Sequence, residues 1–156
     1  MGICSGNYLC WWLNMELIIK EYCCSDKKKL SQMFYKIQSE EFSWVDKSTL
    51  SLDSFEKSTD GEIIYVALID GKIVGFVSVW KQDNFIHNLF VENKYRSLGV
   101  GKSLLEKVIT IFNKPLTLKC VKKNLNAVQF YLSNGWKIEN EQTGSDGAYY
   151  LMSLNS

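Results

Sequence analysis

The chain has 156 residues, a formal net charge of +1 and 46% hydrophobic residues, enough for one domain with a full core. Its basic residues are spread along the chain, so no footprint for nucleic acid is present. The five cysteines (Cys4, Cys10, Cys23, Cys24 and Cys120) form no C-x-x-C and accompany a single histidine; this argues against a disulfide framework or a metal site and fits a reduced, cytoplasmic setting.

Residues 1–14, "MGICSGNYLCWWLN", differ in character from the rest of the chain. They lack the charged start of a secretory signal, are too short to span a bilayer, and break the myristoylation pattern at Gly6. They read as an N-terminal appendage to one domain over 15–156, and no membrane partner is expected. Leu17 to Tyr22 reads as a strand. Asp26 opens a helix through about Gln38, with Leu30, Met33, Phe34 and Ile37 at helical spacing. The irregular stretch Glu40 to Asp60 reads as loop plus a short helix. "EIIYVALID" and "KIVGFVSVW" are β-rich runs joined by a two-residue turn at Asp70-Gly71, where both residues tolerate positive φ. "FIHNLFV", Phe85 to Val91, is a third strand in the same antiparallel series.

The period then changes. Leu104, Leu105, Val108, Ile109 and Phe112 mark a helix that starts near Gly101 and is stopped by Asn113 and Pro115. "LTLKCV" is a buried-type strand. Asn124 or Asn126 caps a helix to about Ser133, ended by Asn134-Gly135. "WKIEN" and "AYYLMSL" are closing strands. The order β-α-α-β-β-β-α-β-α-β-β describes an α/β (α+β) domain, a mixed sheet with helices on its faces.

The segment "RSLGVGKSLL", Arg96 to Leu105, nearly matches a nucleotide-binding loop. Gly101, Lys102 and Ser103 supply the end of G-x-x-x-x-G-K-[ST], but Arg96 stands at the first glycine. No later strand ends in a metal-binding aspartate, and Gly99-Val100-Gly101 lacks the third glycine of a dinucleotide loop. A different anion site is complete here. A helix N-terminus after a strand presents unpaired N–H groups and partial positive charge. Gly99 and Gly101 admit a ligand close to the backbone, and Arg96 adds a charged donor.

The pattern R-x-x-G-x-G between strand and helix resembles the acyl-CoA pyrophosphate loop of the GNAT acetyltransferases. Val91 lies five residues before Arg96, as in that family. Asn124, Ala127, Tyr131, Gly135 and Trp136 match its second motif, and "DGKIVGFVSV" looks like its second and third strands. The resemblance spans about Glu62 to Ile138. It implies a mostly antiparallel six- to seven-stranded sheet, with a V-shaped opening between the strand ending at Val91 and "LTLKCV", splayed by a β-bulge near Leu89-Phe90.

The implied activity is an acetyl-CoA-dependent N-acetyltransferase, with a primary amine attacking directly in a ternary complex; a non-catalytic acyl-CoA sensor of the same fold is the alternative. The implied cofactor site is the backbone of Leu89, Phe90 and Val91, the loop Arg96, Ser97, Leu98, Gly99, Val100, Gly101 and Lys102, and the side chains of Asn124 and Tyr131. Tyr131 is the implied acid toward the leaving thiolate. His87, near where members of the family carry a glutamate, has an ordinary pKa near 6.5 that suits a general base; an ordered water relay would serve instead. Glu40, Glu41, Asp46, Asp53, Glu56, Asp60 and Glu62, interleaved with Phe42, Trp44 and Phe55, would favour a cationic small-molecule or peptide amine. Members of the family also form homodimers through edge strands.

Overall fold

A computed structural model of the chain describes residues 15–156. The appendage reading of residues 1–14, Cys4 and Cys10 included, lies outside the described residues.

Seven strands form one sheet: β1 Leu17–Glu21, β2 Ile63–Ile69, β3 Lys72–Trp80, β4 Phe85–Val91, β5 Leu116–Val121, β6 Lys137–Gly144 and β7 Gly147–Leu154. Their spatial order is β1-β2-β3-β4-β5-β7-β6, and every pairing is antiparallel except β4 with β5. The helices are α1 Lys27–Glu41, α2 Ser54–Thr59, α3 Val100–Ile111 and α4 Leu125–Ser133. The expected element order, the antiparallel series and the hairpin turn are all present. Asp70 and Gly71 both take positive φ, 49° and 79°, as the tight turn requires.

The differences are local: β6, for one, continues to Gly144, four residues beyond "WKIEN". α1 runs on to Glu41, three residues beyond the expected end. Asp26 does not cap α1; its carboxylate accepts the Cys23 N–H at 3.0 Å, serving the turn before the helix.

Alternation along the central strands sends side chains to two cores, one on each face of the sheet. Leu30, Met33, Phe34 and Ile37 of α1 and Phe55 of α2 pack on Ile64, Val66, Phe76 and Phe90. On the other face, Val100, Leu104, Leu105 and Val108 of α3 and Tyr131 of α4 pack with Tyr65, Ala67, Val77, Val79 and Leu118. Phe55, expected as part of an acceptor wall, is a core residue instead, edge-on to Phe34 and Phe76.

Candidate functional site at the β4–β5 gap

Strand pairing creates the gap. β4 and β5 pair only at Phe85↔Thr117 and Ile86↔Leu118. Beyond those residues β4 keeps β3 on one side and β5 keeps β7 on the other, so the two strands face each other unpaired. The opening follows a register shift in β4: Ser78 opposes Asn88 while Val79 opposes Ile86, leaving His87 without a partner on β3. The bulge is thus at His87, not near Leu89-Phe90. An extra residue reverses the side-chain alternation of the strand. Ile86 accordingly faces the α3 core and Phe90 the α1 core.

The bulge also decides which backbone groups reach the gap. Glu92 N–H donates to Val74 C=O at 2.8 Å, so even-numbered positions of this segment turn their main chain toward β3. Phe90 does so: a Cβ placed on Gly75 would lie 2.6 Å from Phe90 C=O. Leu89 and Val91 therefore present their main-chain groups to the gap, and Phe90 does not.

At its far end β4 feeds a loop that turns into α3. Ser97 and Gly99 both sit at positive φ, 63° and 82°. For Ser97 this is a strained conformation of the kind that concentrates at functional loops. Gly99 occupies the N-cap with no side-chain cap, and the first intrahelical bond runs from Ser103 N–H to Gly99 C=O at 2.9 Å. The N–H groups of Val100, Gly101 and Lys102 consequently have no intrahelical acceptor. A Cβ at Gly99 would meet nothing within 4 Å, so the approach there is open. Gly101 differs: its Cβ would lie 3.3 Å from Phe130 Cζ, so the missing side chain lets α3 pack closely on α4. Exposed Lys102 and Arg96 complete a donor set suited to a diphosphate. Arg96 has internal partners as well, donating from Nε to Val91 C=O at 3.2 Å and ion-pairing with Glu41 at the end of α1. Leu98 and Val100 turn their side chains inward and offer only backbone.

Tyr131 lies on the α3/α4 side, edge-on to Trp136 at 5.7 Å between ring centroids. Its pKa is driven well up by burial, with Cys120 adding to the effect, so the phenol keeps its proton across physiological pH. Burial also pushes the Cys120 thiol up to about 11, which makes it a poor nucleophile. Asn124 is the N-cap of α4, its Oδ1 accepting Ala127 N–H at 3.2 Å; its Nδ2 donors are not used by the cap.

His87 has a partner that sequence reasoning missed. Its Nδ1 lies 2.6 Å from Glu62 Oε1, just ahead of β2. The Glu62 side chain is 5% exposed and that of His87 47%, so only the imidazole is reachable from outside. The Glu62 hydrogen bond raises the His87 pKa above its ordinary value; burial opposes this, and the Ser58 carbonyl adds to it.

The acidic acceptor side is partly neutralised. Glu41 pairs with Arg96, Glu56 with Lys27, and Asp46 is taken by Ser48. The remaining aromatic surface is Trp44 stacked on Phe42 at 4.7 Å, with Phe42 edge-on to Phe90 of β4. Among the described residues no cluster suits a metal ion, and no helix is long and apolar enough to cross a membrane.

Similarity to known proteins agrees with this geometry. Residues 31–136 match the model of the acetyltransferase (GNAT) family. A 5-NmdU N-acetyltransferase of Pseudomonas phage PaMx11 is 29% identical over 107 residues, covering 65% of this chain and 76% of that protein. A GNAT-family acetyltransferase from Staphylococcus aureus Mu50 superposes with a TM-score of 0.68 at 25% identity, over 90% of this chain and all of the other. Arabidopsis thaliana Naa50, solved with the bisubstrate analogue CoA-Ac-MVNAL, shares the fold with a TM-score of 0.69 at 17% identity, over 90% of this chain and 99% of its own. The chain belongs to the GNAT acetyltransferase family. Its class is that of the N-acetyltransferases.

Proposed function

We propose that the chain transfers an acetyl group from acetyl-CoA to a primary amine by direct attack, both partners bound together, in a cytoplasmic setting. The observation that carries this reading is the β4–β5 gap, which opens at the bulge of His87 and runs toward the free N–H groups of α3.

When bound, acetyl-CoA supplies the thioester that the amine attacks. In this reading Val100, Gly101 and Lys102 hold the diphosphate through backbone N–H groups, helped by the charges of Lys102 and Arg96. Leu89 and Val91 offer main-chain donors to the pantetheine arm and to the oxygen where charge develops. Asn124 steadies the arm through Nδ2. Tyr131 holds a proton at Oη for the departing thiolate. His87 removes the proton that keeps a lysine-like amine, with an ordinary pKa of about 10.4, from attacking. Phe42 and Trp44 border the acceptor side and suit an amine carried on an apolar or flat body.

Calorimetry with acetyl-CoA and with Mg·ATP, followed by thiol release across a panel of amines, tests the reading. It predicts binding of acetyl-CoA, no binding of ATP, and thiol release with at least one amine. Tight ATP binding without CoA binding would overturn it. CoA binding with no thiol release from any amine would favour the sensor.

A further inference from the structure

We infer that Glu62 is the positioning residue of a Glu62–His87 pair, in which the carboxylate holds the proton on Nδ1 and leaves Nε2 as the atom that accepts the proton of the incoming ammonium. The inference rests on the reading of His87 as the base and extends it to a second residue.

An ionised carboxylate only accepts hydrogen bonds, so the 2.6 Å contact puts the proton on His87 Nδ1. Neutral imidazole then has its lone pair on Nε2. Glu62 is the buried member, and His87 the exposed one. Glu62 Oε2 is buried and has no hydrogen-bond partner among the described residues. A carboxylate half-satisfied in this way is costly unless a cation faces it. Charging the imidazole supplies that cation, so the pair is arranged to stabilise the protonated product of the transfer. In the step itself an N–H bond of the acceptor ammonium breaks, the proton goes to Nε2, and the electron pair stays on the acceptor nitrogen.

Other groups around the ring modulate this. Lys119 of β5 disfavours the charged imidazole, and the Ser58 carbonyl of α2 favours it. The β3 residues flanking the bulge, Ser78 and Val79, are not titratable. The backbone explains the meeting: β2 is in register with β3 at Ile63↔Val79, and β3 with β4 at Val79↔Ile86. Residues 62 and 87 each adjoin that row of the sheet.

The chain has one histidine, so a tag-free ¹⁵N-labelled protein gives a single imidazole system by NMR. Long-range ¹H–¹⁵N correlation through a pH titration reads both tautomer and midpoint. The wild type is expected to show Nδ1–H and a midpoint above about 6.5. Glu62→Gln is expected to move the midpoint down and to shift the rising limb of kcat/KM to lower pH, with a lower plateau. An Nε2–H tautomer in the wild type, or a midpoint unmoved in Glu62→Gln, overturns the role of Glu62; the wild-type measurement decides even where the variant does not fold. A midpoint that depends on Glu62, together with His87→Ala turning over at the wild-type rate, overturns the base reading instead.

Discussion

At the scale of single residues, the two ionisable groups to which the proposed mechanism gives the proton work lie on opposite faces of the sheet. Tyr131 sits in the α3/α4 core with its phenol kept protonated by burial, which suits a donor. Tyr131→Phe removes that proton and little volume, so turnover should fall by about 100-fold or more while CoA affinity stays near wild type; thiol-release kinetics and calorimetry check the split. His87 has a raised pKa, so its neutral form, and the rate, should grow as pH rises through that value. Stability has the opposite sense. The ion pair with Glu62 contributes fully below the ordinary imidazole value of about 6.5 and is lost as pH rises through the folded-state value. His87→Ala should therefore lower Tm most in mild acid, and the difference should shrink in alkaline buffer. Arg96→Ala removes a charged donor and also frees Glu41, so CoA binding should weaken most at low ionic strength. Tyr131, Asn124 and Arg96 could be picked out because their motif spacing is local. Glu62 is legible only as one of the acidic acceptor-side residues and not as the partner of His87, because that contact spans 25 positions and depends on how three strands line up.

Elements set the site through their ends and their pairing. The loop into α3 depends on Gly99, which holds positive φ at an uncapped helix start with open space around it. Gly99→Ala should cost about 1 kcal/mol through the left-handed backbone and weaken CoA binding, readable from urea midpoints and calorimetry. Gly75→Ala acts elsewhere, forcing a Cβ to within 2.6 Å of the Phe90 carbonyl. It should loosen β3 from β4 and cost about 1–3 kcal/mol. Most elements were legible because their signals are short-range: the Asp70-Gly71 turn, the apolar spacing of α1 and α3, the cap at Asn124. The bulge lies two to three positions ahead of the expected Leu89-Phe90; a bulge belongs to a pair of strands, and "FIHNLFV" alone is consistent with either placement. Phe55 stands in a polar stretch of sequence, yet packing of α2 against Phe34 and Phe76 buries it.

Across the whole molecule, the sheet is a partition with a slot. β4 and β5 meet at one end and part at His87 and Lys119, so a group held on the α3/α4 side and an amine arriving from the α1/α2 side can meet through the opening. Arg96 ties the loop that leads into α3 to the end of α1, so the two sides share a fastening. The most direct test is a crystal structure of the chain with bound coenzyme A. The diphosphate is expected on the N–H groups of Val100 to Lys102, and the pantetheine arm along Leu89 and Val91 within the slot. A diphosphate bound elsewhere, or β4 and β5 hydrogen-bonded to each other beyond Ile86 and Leu118, would contradict the slot as the place of transfer.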